Sequence, residues 1–373
     1  MIYLDNAATS LNKPKQVKKS VVEAMEISAN PGRSGHTLSQ NMAGIVFETR
    51  EILKEFFNAK NFEVVFTKNC TEALNLAILG ILKSGDHVIT TCYEHNSVLR
   101  PLEHLKSIGV EVSILDCDLD KLPDLIEGEI KENTKMIITT SVSNVNGEKC
   151  DLERVGEICE RHNIIYLVDG AQGCGHVDID IEKMKISLLA FAGHKGLLAV
   201  TGVGGLIVSN NIKLKPICFG GTGTNSESLI QPDIVPEGLE SGTLPTIPIV
   251  SLKSGVEFLI KNFKKIKKIE QNLTKKLYFE LKKLNFLEIY SKSDCLNVVT
   301  FNIKNQDSMV VANMLNDYGI CVRAGLHCAP LIHKKLGTIE QGAVRVSLDF
   351  SNTEKEIDYL VFALKEINRI LIS

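Results

Sequence analysis

Lys195 is the first residue whose surroundings call for a chemical explanation. It sits beside His194 inside ISLLAFAGHKGLLAVTGVGGLIV (residues 186–208), a stretch that is almost entirely apolar. A membrane span is disfavoured by the lysine near its middle, which costs roughly 2.5–3.5 kcal/mol even on a lenient insertion scale. Gly193, Gly196, Gly202, Gly204 and Gly205 interrupt it as well. Two buried strands joined by a glycine-bearing turn fit better. The lysine then either reaches solvent at the turn tip or is buried. Burial lowers its pKa and frees the neutral amine that Schiff-base chemistry uses.

Asp169 shifts the balance. It closes the apolar strand IIYLV, and open α/β sheets collect ligands at the carboxyl ends of their strands. Such an acid can simply cap the next turn. Followed by a lysine between two apolar strands, however, it suggests pyridoxal phosphate: the carboxylate keeps the pyridinium nitrogen protonated and the lysine holds the aldehyde as an imine. A phosphate site is then required. The candidate is TKNCTEAL (Thr67–Leu74), a strand, a polar turn and a helix start. Its free N–H groups and helix dipole favour an anion, with the Thr71 hydroxyl in addition. An N-cap at Thr71 with Glu72 in the first turn explains the same residues without a ligand.

Other residues carry paired readings. In RAGLHCAP (Arg323–Pro330), Cys328 follows His327 and lies near Arg323. Neighbouring cations raise a thiolate fraction, whereas the default for the other nine cysteines is an inert thiol. Arg345, mid-strand in GAVRVSL, calls for either a bidentate substrate carboxylate or an internal salt bridge. His95 in YEHNSV follows a strand end, where it stacks on a flat cofactor, relays a proton or is a hydrogen-bonded loop histidine; His36 invites the same caution.

These residues need a scaffold. Strands are expected at 63–67, 86–91, 110–116, 134–143 and 163–171, with helices at 71–82 and around 152–162. Continuous apolar runs alternating with helices indicate an α/β fold with a mainly parallel sheet covered on both faces. The texture changes near residue 255. A lysine-rich helix spans 261–283, strands follow at 287–290, 297–303 and 342–348, and helices at 308–318 and 353–372. The division expected is a large domain at 16–254 and a smaller α+β domain made of 1–15 and 255–373.

Composition sets the outer bounds. The chain has 373 residues, 44% hydrophobic and 23% charged, which excludes a largely disordered chain. Basic and acidic residues (42 and 45) give a net charge of -3, which argues against nucleic-acid binding. No C-x-x-C pair occurs among ten cysteines, so a zinc site has no support. No signal-peptide pattern opens the chain, so reduced thiols and a cytoplasmic location without membrane attachment are expected.

Taken together, YLDNAAT, GRSGHTLS, NCTEALN, YEHNSV, SNVNG, VDGAQ, AGHKG, ESGT, RAGLHCAP and VRVSLDFSNTEKEID, in that order along nearly the whole chain, resemble the cysteine desulfurases of the class V aminotransferase family. These are pyridoxal 5'-phosphate enzymes of fold type I. The resemblance implies that Lys195 holds the cofactor, Asp169 partners its ring nitrogen, Gln172 its phenolic oxygen, and His95 stacks on the ring and shares in catalysis. Thr71 and His194 hold the phosphate at the helix start that includes Glu72. Thr243 reaches the phosphate of a neighbouring subunit, which implies a homodimer. Asn144, Arg323 and Arg345 serve the substrate, and Cys328 becomes a persulfide that a sulfur-acceptor protein relieves. The R-x-G-x-H-C form is similar to the SufS-type group. Ala192 and Leu326 depart from the family's more polar residues. The implied reaction converts L-cysteine to L-alanine. Selenocysteine lyase, aminotransferase and epimerase activities are the alternatives within the family, and a silent scaffold role is the alternative outside it.

Overall fold

Apolar strands alternating with amphipathic helices can bury both faces of a sheet only by winding helices over each side, and the chain does this. The computed structural model describes residues 1–32 and 34–372; Arg33, in the GRSGHTLS stretch, and Ser373 lie outside the described residues. The first elements are β1 (Ile2–Tyr3), α1 (Lys15–Ile27), α2 (Thr37–Phe56), β2 (Phe62–Thr67), α3 (Cys70–Ile81), β3 (His87–Thr91), α4 (Asn96–Lys106) and β4 (Glu111–Leu115). They are followed by α5 (Leu122–Glu129), β5 (Thr134–Thr140), α6 (Leu152–Arg161), β6 (Ile165–Asp169), β7 (Leu188–Ala192) and β8 (Gly204–Ser209). β2 to β8 form one sheet in the order β2-β8-β7-β6-β5-β3-β4. Only β8 runs antiparallel to its neighbours. Successive residues of β2, Val64 and Val65, enter the cores on opposite faces, which is why the strands read as unbroken apolar runs.

The rest of the chain forms α7 (Thr246–Lys282), β9 (Leu287–Ile289), β10 (Val298–Ile303), α8 (Ser308–Asp317), β11 (Ile320–Cys321), α9 (Pro330–Lys335), β12 (Val344–Ser347) and α10 (Glu354–Ile372). β9, β10 and β12 make an antiparallel sheet, and β1 pairs with β11. The change of texture near residue 255 is not a break in the backbone. α7 starts at Thr246, well before the expected 261, and runs through that point. Its early apolar residues (Ile249, Leu252, Val256, Leu259, Ile266) pack in the core of the large sheet. Leu273, Leu277 and Leu281 pack in the second core with β10, α8 and α10. The helix can do this because its one proline in the opening turns, Pro248, sits where no intrahelical N–H is needed. Lys261, Lys264, Lys265 and Lys268 form its solvated face, as expected.

One polar cluster ties the two cores together. Glu270 of α7 is buried, and its Oε2 lies 3.0 Å from His176 Nδ1 and accepts from Asn297 Nδ2 at 2.9 Å. Burial works against a charged His176, but the Glu270 carboxylate overcomes it, aided by Asp349 and opposed by Lys195, so His176 titrates above its ordinary value. A histidine raised on folding adds stability below its unfolded pKa of about 6.5, and that stability is lost as pH rises through the higher folded value. Thermal melts of the wild type are therefore expected to fall in Tm above pH 6.5. His176→Gln should lower Tm at pH 6, by an amount matching about 1–3 kcal/mol, and flatten that dependence. An unchanged slope in the variant would refute the assignment.

Candidate functional site

The site lies at the carboxyl ends of β3, β5 and β6 and is closed by the turn after β7 and the start of α3. One pocket there is lined by Thr71, His95, Asn144, Asp169, Gln172, His194 and Lys195, so most of the residues singled out in the sequence converge. Asp169 ends β6, as the pattern required. Its Oδ1 accepts the Ala171 N–H at 2.9 Å and the Cys70 thiol at 3.5 Å. Burial, and next the Asp169 charge, push the Cys70 pKa well up, which keeps that thiol a donor.

Lys195 lies on the turn between β7 and the antiparallel β8, the two-strand arrangement expected of residues 186–208. The turn is braced from the chain's first residues: the Ser10 hydroxyl donates to the Lys195 carbonyl at 3.0 Å and the Ser10 N–H to the His194 carbonyl at 3.2 Å. Lys195 is half-buried and lines the pocket, between the two readings of a buried amine and a solvent-reaching turn tip. Burial lowers its pKa. The Asp169 carboxylate pulls it back up, and Arg345 and Arg323 push it further down.

Two histidines flank the lysine in uncharged form. His194 is pushed down to about 4 by burial and by Lys195 and Lys13, and its Nδ1 is buried without a partner. His95 caps α4, with its Nδ1 accepting the Ser97 N–H at 3.0 Å. The lone pair of His95 therefore sits on Nδ1, and the proton of the neutral ring on Nε2. Burial lowers its pKa. Gln172 Nε2 donates to the Ala7 carbonyl at 3.0 Å.

The start of α3 corrects one expectation. The N-cap is Asn69, not Thr71: Asn69 Oδ1 accepts the Glu72 N–H at 2.9 Å while Glu72 Oε2 accepts the Lys68 N–H at 2.6 Å. The Glu72 carboxylate is spent on Lys68, its Oε2 on the backbone N–H and its Oε1 3.4 Å from the amine, and Glu72 does not line the pocket. Thr71 is thereby left free to pair with Ser97, the two hydroxyl oxygens 2.7 Å apart in the pocket wall. Thr243 is exposed and outside this pocket. Its segment is anchored by Glu240, which pairs with Arg50 at 2.7 Å.

Cys328, Arg323 and Arg345 come from the later part of the chain: Arg345 is on β12 of the second core, whereas Ala329 and Ile332, just after Cys328, pack in the core of the large sheet. Arg345, on β12 and 2% exposed, makes the internal salt bridge that was one of its two readings, with NH2 2.9 Å from Asp5 Oδ1. Its NH1 donates to the Asn144 carbonyl at 2.9 Å, and its Nε is buried without a partner. Arg323 is exposed and bonds through its backbone to Arg345 on both sides. Cys328 is exposed. Its carbonyl accepts the Asn96 N–H at 2.7 Å, and the preceding His327 carbonyl accepts Asn144 Nδ2, also at 2.7 Å. Asn144 thus touches both the pocket and the cysteine loop. His327 and Cys328 both have positive φ, +51° and +56°, a strain of about 1–2 kcal/mol each.

Some residues escaped the sequence reading. Ser97 was visible only as part of YEHNSV. Glu94, one residue before His95, is fully buried: its Oε1 accepts the Thr91 hydroxyl at 2.7 Å and the Thr140 N–H at 2.9 Å, which stitches β3 to β5 under the site. Burial pushes its pKa up to about 8, against the pull of Thr91. Among the cysteines, all free, Cys218 is exposed as well as Cys328.

Residues 2–360 match the Aminotransferase class-V family. The chain belongs to the class V aminotransferases. A probable cysteine desulfurase of Pyrococcus abyssi is 34% identical over 394 residues, covering 100% of this chain and 96% of the relative. One of Methanothermobacter thermautotrophicus is 32% identical, covering 98% and 94%. Among solved structures, the apo cysteine desulfurase of Thermococcus onnurineus superimposes with a TM-score of 0.88 at 32% identity, covering 98% of this chain and 94% of that one. The α/β fold expected from the strand–helix alternation is the fold of this family. Among the described residues, no helix is long and apolar enough to cross a membrane.

Proposed function

We propose that this class V aminotransferase is a pyridoxal-phosphate-dependent cysteine desulfurase that converts L-cysteine to L-alanine and passes the sulfur, through Cys328, to an acceptor. The observation that carries the reading is the meeting of a half-buried lysine and a strand-end aspartate in one pocket, with an exposed cysteine on the loop beside it. The cofactor fits the residues present. His194 Nδ1 is a buried polar atom awaiting a partner, Thr71 and Ser97 offer paired hydroxyls beside the α3 N-terminus, and Asp169 offers a carboxylate. In the proposed roles, Thr71, Ser97 and His194 hold the phosphate, Asp169 the ring nitrogen, Gln172 the phenolic oxygen and His95 the ring face. Bound there, the group supplies an electron sink for a carbanion at the substrate Cα.

The chain's own residues do the rest. Arg345, whose Nε–H has no partner, and Asn144 fix the substrate carboxylate, with Arg323 at the loop. The Lys195 amine moves the Cα proton. The Cys328 thiolate attacks the substrate sulfur and the carbon–sulfur bond breaks. Cys328 keeps the sulfur as a persulfide, and the carbon skeleton leaves as alanine. An acceptor thiol then takes the sulfur by exchange. Glu72 has no place in this scheme.

Finer parts of the reading have their own support. A homodimer, with Thr243 reaching the neighbouring phosphate, is supported by the exposure of Thr243 and of Phe219, Leu229, Ile230 and Ile234 in the same connection between β8 and α7. We take 16–254 as the large domain and 1–15 with 255–373 as the small one. We further place the chain in the SufS-type group, in the cytoplasm, supplying sulfur for iron–sulfur assembly.

The test is an absorbance spectrum before and after L-cysteine, with alanine quantified for the wild type and for Cys328→Ser. A visible cofactor band is expected, with alanine release falling roughly a hundredfold in the variant. Equal alanine release from both chains, or none from the wild type, would move the assignment to an aminotransferase, epimerase or selenocysteine lyase.

A further inference from the structure

Cys328 is displayed by a turn that its own residues do not favour. His327 and Cys328 follow one another in the left-handed region, which residues with a Cβ rarely enter. Such a turn persists only where its surroundings over-determine it. The two carbonyls are held by Asn144 and by the Asn96 N–H. The third restraint acts on a side chain. His327 Nδ1 lies 3.1 Å from His333 Nε2, and His333 Nδ1 lies 2.8 Å from Thr338 Oγ1.

All three side chains are buried, and the two rings are 5.2 Å apart at 35°. Donors must alternate along such a chain. Either the Thr338 hydroxyl donates to His333 and His333 to His327, or every bond runs the other way. In both cases each ring is held as one tautomer, and a side chain that can neither donate nor accept at the middle breaks the line. Burial pushes His333 down to about 4 and His327 well below its ordinary value, so the line is uncharged at neutral pH. Neither His333 nor Thr338 lines the pocket that holds Lys195, so their burial and pairing serve the loop rather than the cofactor.

We propose that His333 and Thr338 are positioning residues for Cys328: through the His327 ring they lock the left-handed turn and so present the thiol in a single orientation. The consequence for turnover rests on the desulfurase reading given above; the consequence for the mobility of the thiol rests on the geometry alone.

The test uses the cofactor-loaded full chain carrying Cys218→Ser, which removes the other exposed thiol, with a nitroxide label on Cys328. The label is expected to be ordered in this background and with Thr338→Ser or His333→Gln, which keep a hydrogen-bonding group. It should become mobile with Thr338→Val or His333→Phe. Should the phenylalanine fail to fold, the near-isosteric valine decides. In unlabelled enzyme, Thr338→Val should lower kcat about tenfold at unchanged KM for L-cysteine, with Thr338→Ser restoring it. Equal label mobility in all these chains would overturn the proposal, as would a loss confined to KM. A wild type that releases no alanine would defeat the desulfurase reading and leave the mobility comparison to decide this one.

Discussion

Lys195→Ala is expected to lower alanine release from L-cysteine by roughly ten-thousandfold or more, because proton transfer by a positioned base contributes up to that factor and the variant loses its covalent hold on the cofactor as well. The residue's setting explains why no neighbour replaces it. Burial lowers its pKa toward the free amine, and the Asp169 carboxylate opposes that shift. His194 is beside it, but burial and the lysine's own charge hold that imidazole down at about 4, too weak a base for the task. Lys195→Arg should fare no better, since a guanidinium does not give up its proton at working pH. Borohydride followed by peptide mapping should fix the cofactor to the wild-type chain at Lys195 and to neither variant. Retention of a hundredth of wild-type turnover in Lys195→Ala would sink the assignment.

A large loss of stability is expected from Gly175→Ala. Gly175 has φ of +89°, and a Cβ built on it would meet the Gly196 carbonyl oxygen at 2.3 Å and its carbonyl carbon at 2.4 Å. Both are backbone atoms of the turn that carries Lys195, so neither can swing aside. Conformation and collision together are expected to cost at least about 3 kcal/mol. Gly85→Ala separates the two effects. Gly85 also has positive φ (+88°), but nothing lies within 4 Å of its would-be Cβ, so only the conformational cost of about 1 kcal/mol applies. Urea unfolding midpoints of the two variants give the comparison, and equal losses would show that the turn yields. Because the collision is with the turn of Lys195, Gly175→Ala should also weaken cofactor retention in whatever fraction remains folded.

Much of this site could be read before any coordinates because the large sheet buries both faces. A polar residue inside its strands or their connecting turns stands out against an apolar background, and Asp169 and Lys195 stood out for that reason. Most strand ends shifted by only a residue or two: 63–67 became Phe62–Thr67, and 163–171 contracted to Ile165–Asp169, while 134–143 lost three residues to become Thr134–Thr140. What was not legible depends on distant partners. α1 and α2 bury single stripes (Val17 and Ala24; Met42, Val46 and Leu53) beside solvated faces, and no apolar run announces them. α7 is legible only where lysines spell out a solvated face; its first turns are largely buried or half-buried and carry a proline. Thr71 looked like a cap because its hydroxyl type suits one, yet Asn69 two residues earlier has the shorter reach to the Glu72 N–H. His333 and Thr338 look like ordinary loop and helix residues until the turn at Cys328 brings His327 against them. Arg345 took the salt-bridge reading, with Asp5, and its Nε is left without a partner.

The brace on the Lys195 turn has a consequence for the order in which a nascent chain becomes competent. Ser10 supports that turn, and the Gln172 amide rests on Ala7. The strip that carries Ala7 and Ser10 is held in turn by the far end of the chain: Asn6 Nδ2 donates to the Ser347 carbonyl, 341 residues later, and the Ala7 N–H to the Ser347 hydroxyl. Asn6 and Ala7 therefore wait for Ser347. A chain stalled before β12 can assemble the seven strands of its large sheet yet lacks the clamp that steadies its lysine. Vectorial synthesis thus withholds the finished pocket until Ser347 has been made.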